Sequence, residues 1–277
     1  MSKTGLKRDL IDKFYTKSTV VDDCIDSIKQ HITFDKLDLI IEPSAGNGAF
    51  IDGIKTLSNN YKFYDIHPEN EQIEKCDYLD VNLKSLKNSY NKIHLVGNPP
   101  FGRQSSIAKK FIKHSLLVAD SISFILPKSF KKDSLKRSFP LNFHLVFEKD
   151  IGSNSFLVDN VEHDVPCVFQ IWIKRDYNRI VEETPEKLYF EFVKRDENPD
   201  LSFRRVGVYA GKIDSRIYDK SIQSHYFIKF NDHIDVSNIM ELLMNIEYSK
   251  DNTVGPKSIS KPEVIKKFNE VIFKTIN

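Results

Sequence analysis

Cysteine is scarce: Cys24, Cys76 and Cys167 are the only three in 277 residues. They are too few and too scattered for a disulfide framework or a zinc site, so a reducing compartment, cytoplasmic or nuclear, is expected. Long apolar runs are missing too. No stretch approaches the ~18 apolar residues of a membrane span, and Met1 to Asp12 is polar, with no apolar signal-peptide core. Neither a membrane protein nor a secreted one is therefore expected. Internal repeats and low-complexity segments are absent, which sets aside solenoids and linkers. Charge of one sign is also lacking: the formal net charge is only +2, so the global balance does not by itself announce a polyanionic partner.

What is present is ordinary globular material, 40% hydrophobic and 29% charged, enough to bury a real core. The length suits one large domain, or a core of ~180 residues with an extension. Val20, Val21, Cys24, Ile25 and Ile28 fall at helical spacing, with Thr19 as a candidate N-cap. Leu37 to Ile41 reads as a buried strand. It runs into Glu42-Pro43-Ser44-Ala45-Gly46-Asn47-Gly48-Ala49-Phe50 and an apolar helix. A strand, a glycine-rich turn and a helix form the context in which Gly-x-Gly carries meaning, because a backbone without Cβ lets a ligand approach closely.

Further strands are expected at Tyr61–Ile66, Cys76–Val81, Ile93–Val96, Ser121–Leu126, Phe143–Lys149 and Val165–Lys174, with a helix at Ser106–Val118. Asp65 ends one of these strands, 23 residues after Glu42, the spacing at which a Rossmann-like site places an acid on a ribose. Glu42, Asp65, Asp77 and Asn98 each close a successive strand. Ligands of open α/β sheets gather outside the carboxyl ends of the strands, so all four should share one rim.

The most informative stretch is Asn98-Pro99-Pro100-Phe101. The prolines fix φ and hold the preceding residue extended, so Asn98 is presented on a stiff turn that lacks competing N–H donors. An amine conjugated to an aromatic ring is a poor nucleophile because its lone pair is delocalised. An Asn side-chain oxygen and a proline carbonyl can accept both of its N–H bonds and favour the pyramidal nitrogen, while Phe101 stacks on the ring. The turn has the properties needed to methylate an amine.

Asn98-Pro99-Pro100-Phe101, with Glu42-Pro43 and Gly46-x-Gly48 upstream, resembles the S-adenosylmethionine-dependent amino-methyltransferases, most of all the adenine-N6 DNA enzymes. The resemblance covers roughly residues 14–175. It implies a Rossmann-like, seven-stranded α/β methyltransferase sheet over 1–178, with a small α+β extension over 179–277. It implies S-adenosylmethionine as cofactor, held by Tyr15, Thr16, Glu42, Pro43, Ser44, Ala45, Gly46, Gly48, Asp65, Ile66, Asp77, Tyr78 and Asn98. In such enzymes an aromatic-Tyr-Thr-Pro stretch closes over the methionine end. Tyr15 and Thr16 match, whereas Lys17 replaces the proline, and a plain helix entry is the other reading. Asp77 reads equally as a helix N-cap.

The resemblance further implies transfer of a methyl group to adenine N6 in DNA, with no metal required. RNA adenine, guanine N2 and protein glutamine stay open as acceptors, as does a catalytically silent partner subunit. Phe156 stands where the family stacks the flipped base, or is a core anchor. From Arg103 to Arg137 there are nine Lys/Arg and two acids, a local +7. Arg103, Lys128, Lys131 and Lys132 are its candidate phosphate contacts, although such a run can be a solvated face. Arg204, Arg205, Tyr209 and Lys212 mix basic and aromatic character in the extension, as nucleic-acid surfaces do and as purely structural hairpins do as often.

Overall fold

The computed structural model describes residues 14–158, 161–181, 183, 185–248 and 257–276; the polar segment 1–12 lies outside them. The chain divides into two compact units, Met1–Ile180 and Val181–Asn277. The first begins with a two-residue strand β1 (Tyr15–Thr16) and helix α1 (Ser18–His31). Then come β2 (Leu39–Glu42), α2 (Ile51–Lys55), β3 (Asn60–Asp65), β4 (Glu74–Lys75), β5 (Ile93–Gly97) and α3 (Ser106–Ser115). They are followed by β6 (Ser121–Pro127), α4 (Asp133–Lys136), β7 (Phe143–Asp150), β8 (Phe156–Val158), β9 (Val161–His163) and β10 (Cys167–Lys174).

Seven of these strands form one sheet in the order β4-β3-β2-β5-β6-β10-β7. The pairs from β4 to β6 are parallel, and β10 runs antiparallel to both its neighbours. This is a Rossmann-like sheet of seven strands. The order reverses between β2 and β5, and such a switch point opens a crevice at the strands' carboxyl ends.

Both faces of the sheet are covered. Along β2 the side chains alternate with period 2: Leu39 and Ile41 join a cluster with Ala108, Phe111 and Ile112 of α3, while Ile40 joins Val21, Cys24, Ile25 and Ile28 of α1. A parallel sheet buried on two sides needs such continuous apolar strands. At the opposite, amino end of the strands, buried His94 bonds Ser121 Oγ (2.7 Å) and lies 3.4 Å from Asp38 Oδ2. Burial lowers its pKa despite that carboxylate. Almost wholly buried, this Asp-His-Ser set ties three strand starts together.

Several boundaries differ from the sequence reading. Helix α1 starts at Ser18 after an uncapped Lys17, so Thr19 is inside it rather than capping it. The strand expected at Cys76–Val81 is the two-residue β4, followed by a 3₁₀ turn at Tyr78–Asp80 capped by the Asp77 carboxylate (Leu79 N–H to Oδ1, 2.9 Å). Asp77 therefore follows a strand end by two residues.

The second unit is a four-stranded antiparallel sheet, order β11-β14-β12-β13, made of β11 (Phe190–Val193), β12 (Leu201–Arg204), β13 (Ile213–Asp214) and β14 (His225–Phe230). Helices α5 (Val236–Met244) and α6 (Lys261–Ile276) complete a separate core around Phe190, Phe203, Ile228 and Phe268. No helix among the described residues is long and apolar enough to cross a membrane.

Candidate active site

The crevice at the switch point is a cavity of about 540 Å³, within the ~300–1,000 Å³ of small-molecule sites. Its floor is the turn after β2. Gly46 and Gly48 sit at φ +54° and +89°, where side chains are strained, and a Cβ on Gly46 would come within 3.4 Å of the Tyr15 ring. Asp65, the last residue of β3, fastens this turn: Gly46 N–H donates to Oδ2 (2.8 Å) and His67 N–H to Oδ1 (2.7 Å). A carboxylate has about four lone-pair sites, so two remain for a ligand.

Glu42 ends β2 with its carboxyl group almost wholly buried, and Oε2 has no hydrogen-bond partner. Burial, with the Asp65 charge adding to it, pushes its pKa up to about 8. A buried acceptor that lacks a partner and lines a cavity suits a cation.

Asn98 follows β5, and its side chain is clamped. Nδ2 donates to Thr16 Oγ1 (3.2 Å) and to the Phe14 carbonyl (3.5 Å), while Ser44 Oγ donates to the Asn98 backbone carbonyl (3.2 Å). A carbonyl can only accept, so the amide nitrogen faces β1 and Oδ1 is left as an open acceptor. Strand β1 is itself held by pairing with β8 and by the Tyr15 hydroxyl on Glu69. Beyond the turn, the Phe101 carbonyl accepts from Ile107 and Ala108 N–H at 3.2 and 3.3 Å, tying the turn to α3. Gln104 and Ser105 then take left-handed φ of 53° and 59°, a strain on the order of 1 kcal/mol each.

The structure gathers most of the expected residues. Tyr15, Thr16, Glu42, Pro43, Ser44, Ala45, Gly46, Asp65, Ile66, Asp77, Tyr78, Asn98, Pro100 and Arg103 line the cavity. Gly48, Pro99 and Phe101 do not, although they belong to its turns. Tyr78 exposes almost nothing: its hydroxyl bonds Ser115 Oγ (2.9 Å) and its ring stacks on Phe111. Phe156 is a correction. At 1% exposure, in β8 opposite Thr16, it is a core anchor and cannot stack on a base.

Lys128 and Lys131 are corrected in part, because both pair with Asp150 of β7 (3.5 and 2.9 Å), as Lys136 pairs with Glu148 (3.4 Å). None of Lys128, Lys131 and Lys132 reaches the cavity. Among the lining residues that sequence reasoning missed are Phe14, Leu79, Ile107 and Phe111. Ile107 and Phe111 were visible only as an apolar helix face, with no sign that its first turn meets a ligand.

Residues 52–180 match the sequence profile of a family described as "EDM2 methyltransferase-like domain". That segment contains Asp65, Asp77 and the Asn98 turn and begins after Gly48. The ribosomal RNA small subunit methyltransferase A of Francisella tularensis subsp. novicida (strain U112) is 31% identical over 140 residues, 46% of this chain and 52% of its own. The chain thus spans about half the length of the curated relatives it matches. Among solved structures, the methyltransferase subunit of a type I restriction-modification system from Streptococcus thermophilus aligns at TM-score 0.46 and 13% identity. It covers 61% of this chain and 46% of that one. The 23S rRNA methyltransferase ErmE aligns at TM-score 0.43 and 12% identity, over 62% of this chain and 74% of its own.

S-adenosylmethionine is the cofactor of methyltransferases with this sheet, and the lining fits it. The orphaned Glu42 oxygen suits its ammonium group. The spare lone pairs of Asp65 suit two ribose hydroxyls. Half-exposed Ile66, with Leu79 and Ile107, offers apolar walls for a purine.

Proposed function

We propose that this chain transfers a methyl group from S-adenosylmethionine to the exocyclic N6 amine of adenine in a nucleic acid, with DNA as the favoured substrate. The observation that carries the reading is the Asn98 amide: its nitrogen is fixed on β1 and its oxygen is open, on the rim of a cavity that fits the cofactor. When bound, the cofactor supplies a methyl group made electrophilic by its sulfonium. Glu42 holds the cationic methionine end, Asp65 the ribose and Asp77 the adenine amine, using acceptor sites left over from its capping bond. The target adenine is turned out of its stack at a cost of a few kcal/mol. Asn98 Oδ1 and the Pro99 carbonyl accept hydrogen bonds from its two amine N–H groups and direct the lone pair towards the cavity. Half-buried Phe101 stacks on the ring. The proton is lost to solvent after transfer, so no strong base is needed.

A second reading, RNA adenine methylation, is favoured by the ribosomal RNA enzyme that resembles 140 residues of this chain. The test is to incubate the protein with S-adenosylmethionine and either DNA or RNA, digest the products and identify methylated nucleosides by mass spectrometry. N6-methyldeoxyadenosine is expected. N6-methyladenosine from RNA alone would favour the second reading, and no methylated nucleoside from either would overturn both.

Glu42 supplies a pH signature. Its folded pKa of about 8 lies above the ordinary carboxyl value. The stability gained by keeping it neutral is therefore complete below about pH 4.5 and is lost as pH rises through 8. A bound cation reverses the preference, so cofactor binding at pH 7 should release close to one proton. Calorimetry in buffers of different ionisation enthalpy will show this release. The Glu42→Gln variant should lose both the release and the rise of affinity between pH 6 and 8; an unchanged proton count would remove Glu42 from the cation site.

Phosphate affinity should come from Arg103 and the lysines of α3. Arg103, Lys109, Lys110 and Lys113 are exposed, and no acidic side chain among the described residues pairs with them, unlike Lys128 and Lys131. Lys110→Glu with Lys113→Glu should weaken duplex binding and flatten the slope of log affinity against log salt by about 2. Lys131→Gln should change the slope little. The opposite ranking would place the phosphate track on the 128–137 segment.

A further inference from the structure

We propose that the turn between β12 and β13 binds an unpaired stretch of nucleic acid, with Tyr209 stacking on a base and Arg205, Lys212 and Lys257 holding the flanking phosphates. This rests on the nucleic-acid reading above and gives the second unit a role that the catalytic site does not supply.

Backbone bonds bring three segments to one end of the small sheet. The turn closes through Arg204 N–H to the Lys212 carbonyl and Gly211 N–H to the Arg204 carbonyl, both 2.8 Å. Residues 257–261 join it through Gly207 N–H to the Lys257 carbonyl (2.9 Å) and Ile259 N–H to the Arg205 carbonyl (2.8 Å). Residues 221–226 join through Arg205 N–H to the Ser224 carbonyl (2.9 Å). Together, segments 204–212, 221–226 and 257–261 hold five Lys/Arg and no Asp or Glu, in a chain whose totals, 41 and 39, nearly cancel.

Neighbouring acids are engaged elsewhere. Asp214 pairs with Arg216 and Lys220 (2.9 Å each), and Glu263 accepts from Ser260 N–H (3.2 Å) at the start of α6. The partners that hold the basic groups do not neutralise them. Arg205 donates to the Gln223 carbonyl (2.8 and 3.1 Å) and lies 5.6 Å from the centre of the Tyr226 ring. Lys257 lies 5.9 Å from the centre of the Tyr248 ring. Carbonyls and ring faces orient a cation and leave its charge available.

Amid this charge stand Val208, Tyr209 and Ile222, 91%, 70% and 67% exposed. A single exposed apolar residue needs no explanation. Three on one basic end, outside the core of their unit, match the alternation of stacking platform and phosphate contact that binds single strands. A duplex keeps its bases stacked and would leave the Tyr209 ring unused, so the occupant is single-stranded.

The test uses the full chain and a 20-nucleotide DNA strand carrying 2-aminopurine, its duplex and the matching RNA strand. Tyr209→Ala should weaken single-strand binding about ten-fold and abolish quenching of 2-aminopurine, while Tyr209→Phe retains both. Lys212→Glu with Lys257→Glu should lower the single-strand salt slope by about 1.4. Cofactor affinity should be unchanged in each variant, which reports an intact first unit. If the wild type binds none of the probes, the nucleic-acid reading falls and this site with it. If the wild type binds but the variants match it in affinity, quenching and slope, this site alone is overturned. An equal loss on duplex and single strand overturns the single-strand assignment.

Discussion

Asn98→Ala should lower the rate of methyl transfer at least a hundred-fold while leaving cofactor affinity within a few-fold. The acceptor at Oδ1 matters most as the target amine pyramidalises, so its loss falls on kcat rather than on binding. Removing one preorganised hydrogen-bonding group from a comparable site costs about 10²–10³ in rate. The substitution also removes the Nδ2 bonds to Thr16 and the Phe14 carbonyl that hold β1 over the cavity. Two further variants separate these effects. Asn98→Asp keeps an acceptor oxygen and should retain part of the activity, whereas Thr16→Val loosens the amide without removing it and should cost less than Asn98→Ala. Single-turnover rates with saturating cofactor measure all three. Wild-type turnover in Asn98→Ala would remove the Asn-Pro-Pro-Phe turn from catalysis.

The parts of this site that were legible in the sequence are those fixed by local chemistry. Glu42 ends a strand because an apolar run precedes it, Asp65 because the aromatic-rich Tyr61–Tyr64 stretch does, and parallel pairing then places both on one rim. The Asn98 turn was legible because two prolines leave its backbone few choices. What was hidden depends on residues distant in the chain. The resemblance left Phe156 as either a stacking platform or a core anchor, and pairing of β8 with β1 turns it into the core. Lys128 and Lys131 looked like part of a phosphate track until the register of β7 set Asp150 beside them. The third strand shrank to Glu74–Lys75 because Asp77 bonds the Leu79 amide and starts a 3₁₀ turn, a local competition that the apolar pattern of Tyr78 and Leu79 concealed. The clamp on the Asn98 amide joins residues 82 and 84 positions apart, and no spacing rule reveals it.

Asp65→Ala should weaken S-adenosylmethionine binding by two to four orders of magnitude. Two hydrogen bonds from ribose hydroxyls to a carboxylate are worth about 1.5–3 kcal/mol each, and both would be lost together. A second loss adds to this. Asp65 holds the Gly46 and His67 amides at 2.8 and 2.7 Å, so the floor of the cavity loosens when the carboxylate goes. Asp65→Asn distinguishes the two contributions. Its one carbonyl oxygen still accepts a backbone N–H but offers no charge to a diol, so its affinity should fall between those of wild type and alanine. The loss should also depend on the ribose itself: a cofactor analogue lacking the 2′-hydroxyl should bind wild type more weakly than the parent compound, and the Asp65→Ala variant no worse. The Glu42 shift gives an independent readout, because the Asp65 charge helps to raise the pKa of Glu42. Removing it should bring the Glu42 value down from about 8 and reduce the proton release that accompanies cofactor binding at pH 7. Calorimetric titration of both cofactors into the three proteins, at two pH values, reports all of these effects. Parent-cofactor affinity unchanged in Asp65→Ala would exclude Asp65 from the ribose site and leave it only the task of fastening the Gly46 turn.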